Sequence, residues 1–274
     1  MSQRPKPRLV LAEVDGTLVT NEKVLTEEAK AAARELNQAG VELAITSGRP
    51  PRGMRMLIEP LRLTGAIAGF NGGALVHPDL SVIECRPLDP AVAEEALKLL
   101  LDQCLDAWVY TESRWFIRDI GAPHVLRERG TVKFDPELVA SFTDAHLAQA
   151  IKIVGVSDDS PRVAGCEAAA QEALEGRASA TRSQPYYLDV THPQANKGAV
   201  VETLARLAHI SPKDIVTIGD GPNDVLMFRK SGFSIAMGNA SKEVKAQAQA
   251  VTDNNENEGF AKAMRKYFLR AAAA

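Results

Sequence analysis

Cysteine is scarce in this chain. Cys85, Cys104 and Cys166 are an odd set of 3 with no CxxC pair, so neither a disulfide framework nor a structural zinc site is expected. An excess of base is missing as well: 32 Lys plus Arg stand against 35 Asp plus Glu, a formal net charge of -3. That balance argues against a role built on gripping a nucleic-acid backbone. No apolar run approaches the length that spans a bilayer. The first such run, Leu9 to Ala12, is too short for a signal-peptide core and leads straight into Glu13. A cytoplasmic, reducing location with no membrane partner is the expectation. His77, His124, His146, His192 and His209 show no HExxH or other metal-ligand spacing, and each reads as a surface or structural histidine. There is no Walker A sequence and no GxGxxG after a strand, so nucleotide and dinucleotide cofactors lack motif support.

What is present is ordinary in bulk. The chain is 45% hydrophobic and 24% charged, as soluble globular proteins are, which excludes disorder and collagen for the whole. Its 274 residues suggest roughly two domains.

Short apolar runs alternate with helical patterns in the opening third. Leu9 to Ala12 reads as a strand buried on both faces. Thr26 can cap a helix whose first turn holds Glu27 and Glu28 and which stops at Gly40. Val41 to Ile45 is the next strand, Pro51 to Pro60 a helix, Ala66 to Phe70 a strand, and Asn71-Gly72-Gly73 a turn. The last third repeats this grammar. Gly198 to His209 is helical, Asp214 to Ile218 a strand, Asp224 to Lys230 a short helix, and Phe233 to Met237 a strand. Ser241 caps a helix running to Ala250, Glu258 to Leu269 is a final amphipathic helix, and the closing alanines are expected to fray. Strand and helix in alternation imply a parallel sheet with helices on its faces.

The middle breaks the rhythm. Asp89-Pro90 opens a helix to Gln103. Trp108 to Thr111 and Trp115 to Arg118 alternate like paired antiparallel strands. Ile151 to Val156, Ala178 to Arg182 and Tyr186 to Val190 are strand-like, and Ser160-Pro161 opens another helix. The expected organisation is an α/β parallel-sheet domain over 1–83 and 185–274, with an α+β domain inserted at 84–184. Trp108, Tyr110, Trp115 and Phe116 read as packing of the inserted sheet. Arg114, Arg118 and His124 read as solvated polar groups that could also meet a ligand.

Acidic groups fall where loops leave strand ends. Glu13 and Asp15 follow the first strand, then Gly16-Thr17; Asp220 and Asp224 follow a later one, in Gly219-Asp220-Gly221-Pro222-Asn223-Asp224. Ligands bind at the carboxyl ends of open parallel sheets. Two acidic clusters there would repel without a cation, and oxygen donors suit Mg²⁺. The alternative is that such residues only form turns and helix caps. Ser47-Gly48-Arg49 offers hydroxyl, backbone NH and guanidinium, a cradle for phosphate. Lys197, in Asn196-Lys197-Gly198, could hold a phosphate or stand exposed at the helix start.

Taken in order, E-x-D-G-T after the first strand, S-G-R after the second, a later N-K-G and then G-D-G-x-N-D resemble the haloacid dehalogenase superfamily. The spacing is similar to its Cof-type branch, subclass IIB, in which a large α/β cap separates the second and third motifs. Asn71-Gly72 and Leu188-Asp189-Val190 also resemble that branch. The likeness covers the whole chain and implies a Rossmann-like core with an inserted cap. It implies Mg²⁺-dependent phosphate-ester hydrolysis through an acyl-phosphate on residue 13. In that scheme Glu13 is nucleophile and metal ligand. Asp15 is general acid and base, with its carbonyl on the metal. Ser47, Gly48, Arg49, Asn71, Lys197 and Asn223 hold the phosphoryl group, Asp220 binds Mg²⁺, and Asp224 supports the site. A cap of this size should exclude polymers, so the implied partner is a small-molecule phosphate ester such as a sugar phosphate.

The departure is at position 13, where the family pattern has Asp and this chain has Glu. The extra methylene displaces the attacking oxygen by ~1 Å, and misplacement on that scale can cost about a hundredfold. Three readings stay open: an introduced residue, a naturally slow enzyme, or a fold kept for binding phosphometabolites. A phosphomutase-like phosphotransferase would share the same core and cap.

Overall fold

The first strand, Leu9–Glu13, is buried along its whole length. Its side chains alternate between two apolar layers: Val10 and Ala12 face one, Leu9 and Leu11 the other. This is why it reads as a continuous apolar run and why it occupies the middle of a sheet. The computed structural model describes residues 7–269, so the closing alanines lie outside the described residues.

The strands are β1 Leu9–Glu13, β2 Glu42–Thr46, β3 Ile67–Gly69, β4 Ala74–Val76, β5 Val82–Cys85, β6 Asp106–Tyr110, β7 Trp115–Ile117, β8 Glu137–Leu138, β9 Lys152–Val156, β10 Ser179–Gln184, β11 Tyr187–Thr191, β12 Ile215–Gly219, β13 Phe233–Ala236 and β14 Ala250–Val251. The helices are α1 Glu27–Gln38, α2 Ile58–Leu61, α3 Pro90–Asp102, α4 Val125–Val132, α5 Asp144–Leu147, α6 Ser160–Ala173, α7 Lys197–Leu207, α8 Val225–Phe228, α9 Lys242–Lys245 and α10 Gly259–Tyr267. One sheet runs β14-β13-β12-β1-β2-β3-β4-β5, and the other runs β10-β11-β9-β6-β7-β8. In the first, β14 to β3 are parallel, and the pairings of β3 with β4 and of β4 with β5 are antiparallel. The fold is a Rossmann-like core carrying an inserted α+β cap.

Local chemistry starts the helices where expected. Thr26 caps α1 by accepting from Ala29 N, and Asp89 caps α3. The inserted sheet pairs β6 with β7 through Val109↔Phe116 and Tyr110↔Trp115. Three expectations fail. Pro51–Leu57 is a 3₁₀ helix followed by the single turn α2, not one α-helix. Gly53 lies against the Val132 backbone, where an added Cβ would sit 3.0 Å from its carbonyl oxygen, so packing against α4 sets this tighter winding. The helix after Ser241 is only one turn, because Ala250 and Val251 pair with β13 as an edge strand. The inserted segment also departs from 84–184. Glu84 and Cys85 belong to β5 of the first sheet, while β11 is hydrogen-bonded between β10 and β9 in the second. Tyr187 follows the β10–β11 turn, so the return strand of that hairpin stays with its partner. No helix among the described residues is long and apolar enough to cross a membrane.

Candidate active site

Because β12, β1, β2 and β3 are parallel neighbours, their carboxyl ends bring distant segments into one place. Glu13 ends β1, Ser47 follows β2, Asn71 follows β3, and Asp220 follows β12. Gly16 turns the chain after β1 with φ +72°, and a Cβ there would lie 2.3 Å from an Asp220 carboxylate oxygen. Glycine is required on both counts. The turn delivers Thr17 Oγ1 to Asp220 Oδ1 at 3.2 Å.

At the centre is Lys197, the first residue of α7. Asn196 caps that helix by accepting from Ala199 N. The lysine is 1% exposed, against the expectation of an exposed helix-start side chain. Its ammonium donates to Glu13 Oε2 and to Asp224 Oδ1, the latter at 2.5 Å. A buried ammonium survives only with such partners. Burial alone would pull its pKa down, but Asp224 and Glu13 outweigh that and hold it above the usual lysine value. Glu13 goes the other way from a simple ion pair. Burial pushes its carboxyl up to about 8, because Lys197 is shared with Asp224, whose charge opposes a second anion. Asp224 is fully buried, and its Oδ2 accepts from the backbone N–H of Asp220 and of Gly221, both at 2.8 Å.

Asp15 sits at the mouth. Arg49 grips it with two nitrogens, Nη2 to Oδ1 at 2.6 Å and Nε to Oδ2 at 2.8 Å. Lys23 pairs with Oδ1 at 2.8 Å, and Ser47 Oγ donates to Oδ2 at 3.3 Å. Burial works to raise this carboxyl, but Arg49 and then Lys23 overcome it and hold it below the usual range. The third corner of the Arg49 guanidinium donates to the Thr131 carbonyl of α4 at 3.1 Å, linking core to cap. Asn71, with φ +56°, accepts at Oδ1 from Asn223 Nδ2 at 3.1 Å. Gly48 lies beside Asn71, but a Cβ would only make ordinary contact there, so space does not demand glycine.

The expected residues therefore converge, with Arg49 turned toward Asp15 in this state. No sequence motif singles out Lys23 or Asn239, and Thr17 stands only as part of E-x-D-G-T. Asn239 Nδ2 donates to Gly16 O at 2.9 Å and to Asp220 Oδ2 at 3.1 Å. Its signal was available: a polar residue after Gly238, past the end of a core strand, by the logic that singled out Asp15 and Asp220. Arg114 and Arg118 form ion pairs with Glu137 and Asp106, and His124 Nε2 lies within hydrogen-bond distance of Asp158 Oδ1 at 2.8 Å. Trp108, Tyr110, Trp115 and Phe116 are buried, as packing requires.

Among the described residues, no three His, Cys, Asp or Glu side chains gather as a metal cluster. A cation would draw instead on the Glu13 and Asp220 carboxylates and the Asp15 main-chain oxygen, hard donors suited to Mg²⁺. Burial, then the Asp224 charge, pushes Asp220 up to about 6. The donor set fits a divalent ion.

The chain is similar to known proteins over most of its length. The family pattern described as haloacid dehalogenase-like hydrolase matches residues 10–264. The HMP-PP phosphatase of Cronobacter sakazakii is 30% identical over 242 residues, covering 88% of this chain and 87% of its own. A 5-amino-6-(5-phospho-D-ribitylamino)uracil phosphatase of Bacillus subtilis is 25% identical over 267 residues, with 96% of each chain covered. A solved haloacid dehalogenase-like hydrolase from Bacteroides thetaiotaomicron superposes with a TM-score of 0.89 at 25% identity, over 96% of this chain and 100% of that one.

Proposed function

The chain belongs to the haloacid dehalogenase-like hydrolases, and from that premise we propose that it is a Mg²⁺-dependent phosphatase of small phosphorylated metabolites, sugar phosphates foremost. The observation that carries this reading is the buried Lys197 between Glu13 and Asp224 at the carboxyl ends of the core strands. A buried cation beside a carboxylate nucleophile is what an incoming phosphoryl group needs, since its transfer depends on positioning and charge compensation. Glu13 attacks phosphorus through a carboxylate oxygen, forming an acyl-phosphate as the ester oxygen leaves. Asp15, once Arg49 and Lys23 release it and its burial favours the protonated form, gives that oxygen a proton, then takes one from the water that hydrolyses the acyl-phosphate. Ser47, the Gly48 backbone, Lys197, Asn71 and Asn223 surround the phosphoryl oxygens, and Arg49 adds charge when it leaves Asp15. Bound Mg²⁺, held by Glu13, Asp220 and the Asp15 carbonyl, would neutralise phosphoryl charge. Both curated relatives described above carry the name phosphatase, one of a phospho-ribityl compound.

A phosphate-release screen over sugar phosphates, with and without Mg²⁺, tests the reading. Turnover that needs Mg²⁺ supports it. No turnover by either the Glu13 protein or its Glu13→Asp variant removes it. A second reading, a phosphometabolite-binding protein, is favoured by one feature: the Glu13 carboxylate is committed to Lys197. Calorimetry showing tight binding of a sugar phosphate, with no phosphate released by either form, would select it.

A further inference from the structure

The chain passes between the two sheets twice, and one guanidinium ties the two passages together. The first passage follows β5, which ends at Cys85, and leads to α3 at Pro90. The second runs from the end of β11 at Thr191 to Lys197, the start of α7. Arg86 stands on the first. Its Nη1 donates to the main-chain oxygen of Gly72 at 3.2 Å and to that of Gln194, on the second passage, at 3.1 Å. Its Nη2 donates to Glu84 Oε1 at 2.6 Å and to Thr203 Oγ1 of α7 at 3.1 Å. Both hydrogens on each of these nitrogens are therefore used. Glu84 is held from its other oxygen, Oε2, which accepts from Arg206 at 2.7 Å. The Arg86 main chain is fixed too, donating to Gly73 O at 2.8 Å.

The two loops that Arg86 holds carry site residues next to the atoms it touches. Gly72 follows Asn71, and Gln194 lies just before Asn196, the cap of the helix that begins with Lys197. These loops also meet directly. Gly72 has φ +104°, and a Cβ there would lie 2.7 Å from Val200 Cγ2 and 3.1 Å from the Asn196 carbonyl oxygen. Glycine allows that approach. A surface ion pair with Glu84 would need one acceptor and add little stability. Arg86 instead is largely buried and spends its whole Nη1 on the main chain of both loops. What it fixes is the position of the Asn71 loop relative to the start of α7.

We propose that Arg86 is a positioning residue of the phosphatase: it holds the Asn71 loop against the start of α7, so that Asn71 and Lys197 converge on the same phosphoryl group. The inference rests on the phosphatase reading. In that reading both residues meet the phosphoryl group and not the leaving group, so Arg86 acts on transfer whatever alcohol departs. Lysine cannot stand in for it. An ammonium has three donors on one nitrogen, whereas the four acceptors here are arranged around a planar fork. A cleft of about 470 Å³ borders Arg86, Gln194 and Thr203. It gives a free guanidinium ion a way into the space that a truncated side chain leaves.

Arg86→Ala and Arg86→Lys test this in the full chain, in both the Glu13 and Glu13→Asp forms. The substrates are glucose 6-phosphate and p-nitrophenyl phosphate, with Mg²⁺ present. Rates are read well below each variant's melting temperature, so that loss of fold does not enter. Each variant should lower kcat/KM by about tenfold to a hundredfold, the scale of a ~1 Å misplacement, and by the same factor on both substrates. Millimolar guanidinium chloride should recover part of the loss in Arg86→Ala, where sodium chloride recovers none, and should bring the parent no gain. Should Arg86→Ala fail to fold, Arg86→Lys still decides through the comparison of the two substrates. Parent-like kcat/KM in the folded variants overturns the proposal, even with a lowered melting temperature, which would mark a clamp that serves stability alone. A loss confined to one substrate overturns it too, as does a loss in Arg86→Ala that guanidinium leaves untouched. Absence of turnover on both substrates in the parents of both forms overturns the phosphatase reading itself, a different and recognisable result.

Discussion

Lys197 shows how one side chain can tie stability to chemistry. Removing one partner of a buried ion pair strands the other charge, at about 3–5 kcal/mol. Lys197→Met should therefore lower stability as well as activity, and a denaturant titration that finds unchanged stability would contradict the buried triad. Glu13 adds a pH signature. Its carboxyl titrates near 4.5 when unfolded and about 8 when folded, so between those values the folded state binds the extra proton. Stability from this group is present at the low end of that window and is lost as pH rises toward 8. In chelator-containing buffer, the wild-type melting temperature should fall from pH 5 to pH 8 more steeply than that of Glu13→Gln. Parallel curves would show that the raised carboxyl does not govern this window. The sequence revealed Lys197 as a candidate but not its burial, because helix position alone cannot tell which strand ends close over it.

At the level of elements, legibility followed the range of the forces involved. The strand at Leu9–Glu13 and the helix from Glu27 were readable, since an apolar run and a Thr cap are local signals. The winding at Pro51–Leu57 and the single turn at Lys242–Lys245 were not, because contacts with α4 and pairing with β13 decide them. The site was legible for the related reason that its residues cluster just past strand ends, while Asn239 escaped for want of a charged neighbour. The turn after β1 is the element most sensitive to change. Gly16→Ala would combine an unfavourable φ of +72° with a Cβ 2.3 Å from Asp220. We expect it to displace Asp220 and weaken Mg²⁺ binding in calorimetry, beyond the loss of stability. Wild-type metal affinity in that variant would show that the turn does not set the position of Asp220.

Across the whole molecule, Arg49 is a direct link between core and cap at the site. One guanidinium holds the proposed acid and base of the core and a carbonyl of the cap helix. Lysine keeps the charge but not the fork. Arg49→Lys should lower kcat/KM about tenfold to a hundredfold through loss of the forked charge it brings to the phosphoryl group, and should raise hydrogen exchange in Val125–Val132. Wild-type exchange there would mean that the cap is held by other contacts.

We propose the carboxylate at position 13 as a nucleophile compromised by one extra methylene. This role is tested most directly by Mg²⁺-dependent phosphate release from a sugar phosphate, measured side by side for the Glu13 protein and Glu13→Asp. The shorter side chain should give a gain of about tenfold to a thousandfold, with metal affinity changing less than rate. A Glu13 protein that already turns over at an ordinary enzyme rate, with no gain in Glu13→Asp, would contradict it.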